Sequence, residues 1–573
     1  MDAQQSNLSS AKYGYDMVVA TTQVSINTTM KEFLSSADTK EINICYAYDD
    51  NGDLVQTDYQ TLVSQAGIDP YSIASGNYHK TDPVAKLDNV GFAFAFKAQM
   101  GLPAMDPSKM PDIVVLNKGS EFVTYQLYCQ EFSILNLQES GGGRNLTWTN
   151  ISQPDDAPWI LSMTVNIDLR ADNSADAFSK LPPDIQKQVK NLNPDSAFSV
   201  QQLLLDLSTR QLDSLPNIVG LDKTTDAYTY LQKVFVDTYF GNLTSGDVVL
   251  GYAVTPENLN PNPVQPSIIP TDLNIMVSPS MTATGDPNPQ DQGMYTLNYL
   301  VMTENHNMPA PVPFTWNWVE DTQAAQFHGT MSINRNIFVD YLNKKLSEWL
   351  PNICYIPKVT VTYSSTHVAD FSCPLTKDDT PQTYTMNPSG STLLTFNYAK
   401  SSKDQAGLDG DMATLELDYT AVSTVSCNSK QLIIETTTAI YVDVSILSGH
   451  GTGYPLKYQA TLTYDLDVDA TGTITVAGGS PDVKDLSDSL DTDTWVKVMN
   501  FFSGGGVDKL MGPIAQTVHA DTFVLEDFDS FIQKALQNNA FWVFPGGKTF
   551  SFADVFFSDN QDMVAHITYA DAS

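Results

Sequence analysis

Period-two alternation of apolar and polar residues is the clearest signal in this chain, and it is concentrated in the C-terminal half. Tyr458, Ala460, Leu462, Tyr464, Leu466 and Val468 alternate with Lys457, Gln459, Thr461, Thr463, Asp465 and Asp467. On an extended strand this places one apolar face opposite one polar face. Ile434, Thr436, Thr438, Ile440, Val442, Val444 and Ile446 repeat the pattern upstream, and Leu415, Leu417, Tyr419 and Ala421 form a third run. Asp469-Ala470-Thr471-Gly472 then reads as a turn into Ile474 and Val476, closing a hairpin. An ordinary strand has about five or six residues, and these runs are about twice that. Long amphipathic antiparallel strands build a tall sheet with one apolar face, and that face requires a cover.

Helical spacing supplies candidates for the cover. Over 337–350, Phe338, Tyr341, Leu342, Leu346 and Trp349 fall on one stripe; Asn334 or Asn336 caps the start and Pro351 stops it. A second helix is predicted over 525–538, and two more over 496–502 and 507–514, on either side of Gly504-Gly505-Gly506. Shorter helices are predicted over 26–34, 184–192, 200–212 and 225–240, making the N-terminal half the more helical. The proline-rich stretch 256–270 reads as a linker, and 285–292 and 482–493 as exposed loops. No internal repeat is evident.

Composition narrows the function classes. Of 573 residues, 42% are hydrophobic and 10% aromatic, enough for a sizeable core and against wholesale disorder. The chain carries 66 Asp plus Glu against 30 Lys plus Arg, a formal net charge of -36. Arginines stand only at Arg144, Arg170, Arg210 and Arg335, and no basic cluster exceeds Lys344-Lys345. Nucleic-acid binding needs several phosphate-neutralising cations, so no nucleic-acid partner is expected. A polybasic membrane contact is absent for the same reason. Cys45, Cys129, Cys354, Cys373 and Cys427 are odd in number, widely spaced and without CxxC. They read as buried free thiols of a reducing compartment. No basic segment followed by an apolar core opens the chain, and no apolar run is long enough to span a membrane. The expected location is the cytoplasm of the producing cell, with release by a route lacking a signal peptide left open.

Catalytic signatures are missing. There is no GxSxG, HExxH, GxxxxGK[ST] or GxGxxG. His450-Gly451-Thr452-Gly453 reads as a tight turn, and the seven histidines show no ligand spacing. His566, alternating with Ala565 and Ile567, is expected on an exposed polar face. The acidic stretches 49–53, 409–411 and 485–493 lack the ordered oxygen ligands of a calcium hand and read as solvated turns. No metal, cofactor or catalytic residue is assigned, and general acid–base chemistry is neither supported nor excluded.

Three segments carry a family resemblance. They are KYGYDMVVATTQVSINTTMKEFL over 12–34, PSIIPTDLNIMVSP over 266–279, and FWVFPGGKTFSFADVFFSDNQDMVAHITY over 541–569. Together they resemble the clostridial P47/OrfX family, encoded beside some neurotoxin genes, which looks like a branch of the tubular lipid-binding (TULIP) superfamily. Tyr13-Gly14-Tyr15-Asp16, the region of Asn27, Pro270-Thr271-Asp272-Leu273 and Pro545-Gly546-Gly547 match the pattern as turns and strand starts, not as a binding site. The resemblance implies an α+β fold: an elongated TULIP-like body of long, highly curved antiparallel sheets wrapped around long amphipathic helices. It implies two halves, 1–255, with a helical insertion near 182–243, and 256–573. It also implies a non-enzymatic role, binding a lipid or another hydrophobic ligand in an apolar tunnel, as an accessory to a toxin or secreted product. Phe338, Leu342, Leu346, Ile440, Val442, Leu462, Tyr464 and Leu466 are the candidate lining, each with core packing as its plainer role. Two alternatives stay open: an assembly component of a toxin complex with a filled core, and an enzyme that has recruited the cavity for a hydrophobic substrate.

Overall fold

The computed structural model describes residues 2–36, 41–106, 109–117, 122–140, 145–172, 186, 198–214, 224, 226–231, 249–256, 268, 270–363, 369–408, 411–446, 449–488, 525, 542–544 and 548–570. The predicted helices over 496–502, 507–514 and 525–538, the glycine run at 504–506, the Pro545-Gly546-Gly547 turn and most of the 182–243 insertion lie outside these residues.

Antiparallel strands dominate. A twelve-stranded sheet runs in the order Pro270–Ser278, Thr296–Thr303, Met17–Thr22, Gly329–Ile333, Met563–Ala570, Lys548–Phe557, Trp542–Phe544, Val249–Pro256, Phe198–Ser214, Leu161–Asp172, Phe122–Leu127 and Val114–Leu116. It draws strands from both sides of residue 256. A six-stranded sheet is built from Leu54–Thr57, Glu41–Tyr48, Phe92–Met100, Cys129–Ser140, Asn145–Ser152 and Gly76–His79. A seven-stranded sheet holds the long alternating runs: Thr385–Met386, Thr392–Leu408, Asp411–Asn428, Gln431–Ile446, Gly449–Val468 and Ile474–Gly478, with Asp482–Asp485 also paired to Gly449–Val468. Among the described residues two short ribbons, Tyr355–Pro357 with Leu375–Lys377 and Thr360–Tyr363 with Ala369–Ser372, stand beside these sheets.

The three alternating runs fall in the long strands Asp411–Asn428, Gln431–Ile446 and Gly449–Val468, of 18, 16 and 20 residues; a fourth long strand, Thr392–Leu408, of 17 residues, was not read from the pattern. The hairpin after Val468 is present: Gly472 N–H donates to the Asp469 carbonyl at 3.0 Å, and Gly472 takes the positive φ of 78° that the turn requires. The helix predicted over 337–350 is Arg335–Ser347; Asn334 is its cap, accepting from Asn336 N–H at 2.9 Å.

The expectation of highly curved sheets wrapped around long amphipathic helices does not hold. Among the described residues each sheet is an open path of strands, none curled or closed on itself. The longest described helices are Gln23–Ser36, with 14 residues, and Arg335–Ser347, with 13. The architecture is mixed α+β, mostly strand, in several separate sheets. Lengths give the reason. A strand of 16 residues runs roughly 54 Å, whereas a helix of 13 residues runs about 20 Å. The helix alone cannot cover the apolar face, so the turn Leu350–Ile353 and the two short ribbons extend the cover.

Three local expectations also change. The predicted helix over 200–212 is part of the strand Phe198–Ser214, paired on both sides with Leu161–Asp172 and Val249–Pro256. His450-Gly451-Thr452-Gly453 lies within the strand Gly449–Val468, not in a tight turn. His566 is buried, because both faces of its strand are covered.

Candidate functional site

The candidate site is the layer between the apolar face of the seven-stranded sheet and the helix and ribbons over it. Register decides which residues share the inner face. Leu417 lies opposite Val442, Tyr419 opposite Ile440, and Cys427 opposite Leu432. Leu432 lies opposite Tyr464, Ile434 opposite Leu462, and Leu466 opposite Val476. All of these residues are buried.

The inner face is not uniformly apolar. Ser423 and Thr436 face each other across neighbouring strands, their hydroxyls 2.8 Å apart, and the Tyr384 hydroxyl is 2.9 Å from Ser423. Two residues further along, the buried Thr438 hydroxyl has no hydrogen-bond partner. This polar band divides the face into one half around Leu432, Ile434, Leu462, Tyr464 and Leu466, and another around Leu417, Tyr419, Ile440 and Val442.

Hydrogen bonds fix how the cover lies over these halves. Arg335 Nη2 donates to the carbonyls of Gly390 and Thr392, both at 3.4 Å, and Asn343 Nδ2 donates to the Tyr384 carbonyl at 3.3 Å. The helix therefore starts near the Cys427 end of the face and runs towards the polar band. Beyond it, Tyr419 OH donates to the Ile353 carbonyl at 2.7 Å. Further on, Val359 N–H donates to Ser402 Oγ and Val361 N–H to Asp404 Oδ2, both at 2.8 Å. The eight candidate residues thus share one apolar core but fall into two groups. Leu462, Tyr464 and Leu466 lie in the half at the Cys427 end, where the helix carrying Phe338, Leu342 and Leu346 begins. Ile440 and Val442 lie beyond the band, in the half covered by the turn and ribbons. Phe338 also packs on Phe557, ring centroids 5.7 Å apart.

Two cavities open elsewhere, on the six-stranded sheet. One of about 650 Å³ is lined by Glu41, Asn43, Gln56, Thr57, Asp58, Tyr59 and Gln60. The other, about 630 Å³, is bordered by Tyr48, Asp88, Phe94, Asn136, Glu139 and Asp226 among others. Both linings are polar, and neither includes a candidate residue.

Sequence reasoning missed a group of buried polar side chains beside the helix start. Asp562 is fully buried in the turn before Met563–Ala570. Its Oδ2 accepts from Ser6 Oγ at 2.8 Å and Leu8 N–H at 2.6 Å, and its Oδ1 accepts from Arg335 N–H at 2.9 Å. Burial pushes its carboxyl up to about 6, against those hydrogen bonds and the Arg335 charge. Asp16, also buried, accepts from Thr303 N–H at 2.7 Å and Thr303 Oγ1 at 2.9 Å, and meets His306 Nδ1 at 2.8 Å. His566 stacks on Phe327 at 4.2 Å, with its Nδ1 3.9 Å from Asp554 Oδ2, too long for a direct hydrogen bond. His566 and Lys430, whose Nζ lies 2.7 Å from Asp554 Oδ1, hold the Asp554 carboxyl down to about 2. The only sequence signal for this group was a set of polar residues inside otherwise apolar strand ends.

The residues that carried the family resemblance do structural work. Asn27 ties its helix to the strand Val114–Leu116: Oδ1 accepts from Ile113 N–H at 2.7 Å and Val114 N–H at 2.9 Å, while Nδ2 donates to the Val114 carbonyl at 2.7 Å. Tyr15 OH donates to the Ala310 carbonyl at 3.1 Å and accepts from Val312 N–H at 3.0 Å. Pro270 begins a strand, as expected. All five cysteines are free and buried; burial pushes the Cys45, Cys354 and Cys427 thiols up to about 12 and Cys373 to about 11. Among the described residues no three metal-ligating side chains converge, and no helix is long and apolar enough to cross a membrane.

No family model matches the chain, and no curated protein matches it. Ten chains of solved structures do. One is the crystal structure of P47 of Clostridium botulinum E1, at 12% identity and a TM-score of 0.42, covering 97% of this chain and 100% of that one. Another is the crystal structure of lipopolysaccharide binding protein, at 10% identity and a TM-score of 0.27, covering 97% and 99%. Both matches extend over nearly the whole chain, and at these scores no residue's role follows from either.

Proposed function

We propose that the chain is a non-enzymatic binding protein that holds a lipid or another hydrophobic ligand between the Arg335–Ser347 helix and the apolar face of the long-stranded sheet. The observation that carries this reading is the meeting of the helix stripe and the sheet face in one continuous apolar core. The reading assigns the lining to Phe338, Leu342, Leu346, Leu462, Tyr464 and Leu466, with Ile440 and Val442 beyond the polar band. Each ligand methylene transferred from water gains roughly 0.8 kcal/mol. A modest acyl chain thus binds without a polar sequence motif, in keeping with the lack of catalytic signatures.

A specific observation favours a second reading. Each of the eight candidates is at most 4% exposed, and neither described cavity reaches them. A filled core of this kind suits an assembly component whose surface meets a protein partner, such as a toxin or another released product. Native mass spectrometry of the purified protein, followed by organic extraction, separates the two. A stoichiometric co-purifying lipid supports the binder. A bare mass, with no uptake of fluorescent lipid afterwards, sinks that reading and leaves the assembly component.

A further inference from the structure

Arg335 presents an electrostatic anomaly. It is 1% exposed, yet its Nε and Nη1 have no hydrogen-bond partner. Its Nη2 reaches only two carbonyls, both at the long distance of 3.4 Å. Asp562, whose charge is felt at the guanidinium, spends its oxygens on Arg335's own backbone N–H and on Ser6 and Leu8. Among the described residues no carboxylate stands at ion-pair distance from the side chain. A guanidinium cannot shed its proton, and a covered cation with only two long contacts to carbonyls is strongly unfavourable. The missing element is an anion at hydrogen-bond distance from the guanidinium.

Its surroundings say what kind. Arg335, Phe338, Leu342 and Leu346 follow helical spacing, so the cation heads the same buried stripe. On the sheet side it stands near Cys427, in the row shared with Leu432 and Tyr464. From Cys427 the apolar face continues four residues along its strand, roughly 13 Å, before Ser423 and Thr436 interrupt it with hydroxyls. Against the guanidinium lies the turn 388–391, whose residues are exposed and whose Gly390 carbonyl accepts from Nη2. A covered cation beneath a surface turn, continuous with an apolar strip of limited length, matches a molecule with an anionic head and a short tail.

We propose that Arg335 receives the oxyanion head, a carboxylate or phosphate monoester, of a single-chain amphiphile. The tail lies along the Phe338–Leu342–Leu346 stripe and ends at the Ser423–Thr436 hydroxyls. This assignment rests on the hydrophobic-ligand reading above and gives the ligand its head group and its length.

Isothermal titration calorimetry of the full chain tests it with laurate, methyl laurate, lauryl phosphate and inorganic phosphate. The expected result is that laurate and lauryl phosphate bind at least about tenfold tighter than the neutral ester, the margin of a charge-assisted hydrogen bond. Arg335→Gln should abolish that preference while methyl laurate still binds, and Arg335→Lys should restore part of it. Equal affinity for acid and ester in the natural protein overturns the anchor and leaves the hydrophobic-ligand reading standing. No binding of laurate, its ester or lauryl phosphate overturns both. Inorganic phosphate binding as tightly as lauryl phosphate replaces the amphiphile with a free-anion site. If Arg335→Gln does not fold, the acid-to-ester ratio in the natural protein still decides.

Discussion

The seven-stranded sheet and the junction around Asp562 are stabilised in opposite ways. On the sheet, burial follows a local rule: every second residue faces inwards, and its partners are set by the register of adjacent strands. At the junction, polar side chains are buried and satisfied by residues hundreds of positions away, as Asp562 is by Ser6 and Leu8. The first arrangement tolerates substitution of similar shape. The second depends on each donor meeting its acceptor, because an abandoned buried group carries its full desolvation cost.

Substitutions that break this contrast should differ in kind. Phe338→Ala removes a ring packed between the helix and Phe557, and urea unfolding should show a loss of about 4 kcal/mol. Asp562→Ala strands three donors, with an expected loss of about 3 kcal/mol and faster proteolysis near Ser6 and Leu8 as its signature. Asp562 also gives the junction a pH dependence. Its folded carboxyl holds a proton up to about 6, against an ordinary value of 3.8. Its contribution is therefore full below that ordinary value and lost as pH rises through about 6, a span of about 3 kcal/mol. Urea midpoints measured across this window should fall for the natural protein and flatten for Asp562→Asn. Asp554 works in the other sense: its carboxyl is held down to about 2, so its contribution is lost only as pH falls through that value.

Two smaller changes sharpen the comparison. Thr438→Val replaces an unpartnered buried hydroxyl on the sheet face with a methyl, and should raise stability by about 1 kcal/mol. On the solvent face, Lys403 pairs with Glu416 at 2.7 Å, but the lysine side chain is more than half exposed. Lys403→Met should change stability by less than about 1 kcal/mol, with little dependence on salt.

The same contrast explains what was readable in advance. Three of the long strands, the turn at 469–472 and a cap at Asn334 or Asn336 were legible because each is a local pattern with a local cause. The strand Phe198–Ser214 was not, since its apolar residues recur at helical spacing and pairing on both sides overrides that preference. His566 was misplaced because alternation sorts faces only when one of them meets water, and neither does here. The candidate lining was legible as an apolar face, but the polar band that divides it emerges only from strand register. Arg335 was legible only as one of four arginines, because nothing local in its sequence announces a guanidinium that the rest of the molecule covers.

The stitching of residues 4–8 to residues 557–562 has a consequence for biosynthesis. Gln4, Ser6 and Leu8 find their partners in Phe557, Ser558 and Asp562, and the strand Gly329–Ile333 waits for Met563–Ala570. At ordinary ribosomal speeds roughly a minute separates the emergence of these segments. Once it has emerged, the strand Gly329–Ile333 keeps an edge with no neighbour until Met563–Ala570 follows, and an unpaired edge is a template for pairing with another chain.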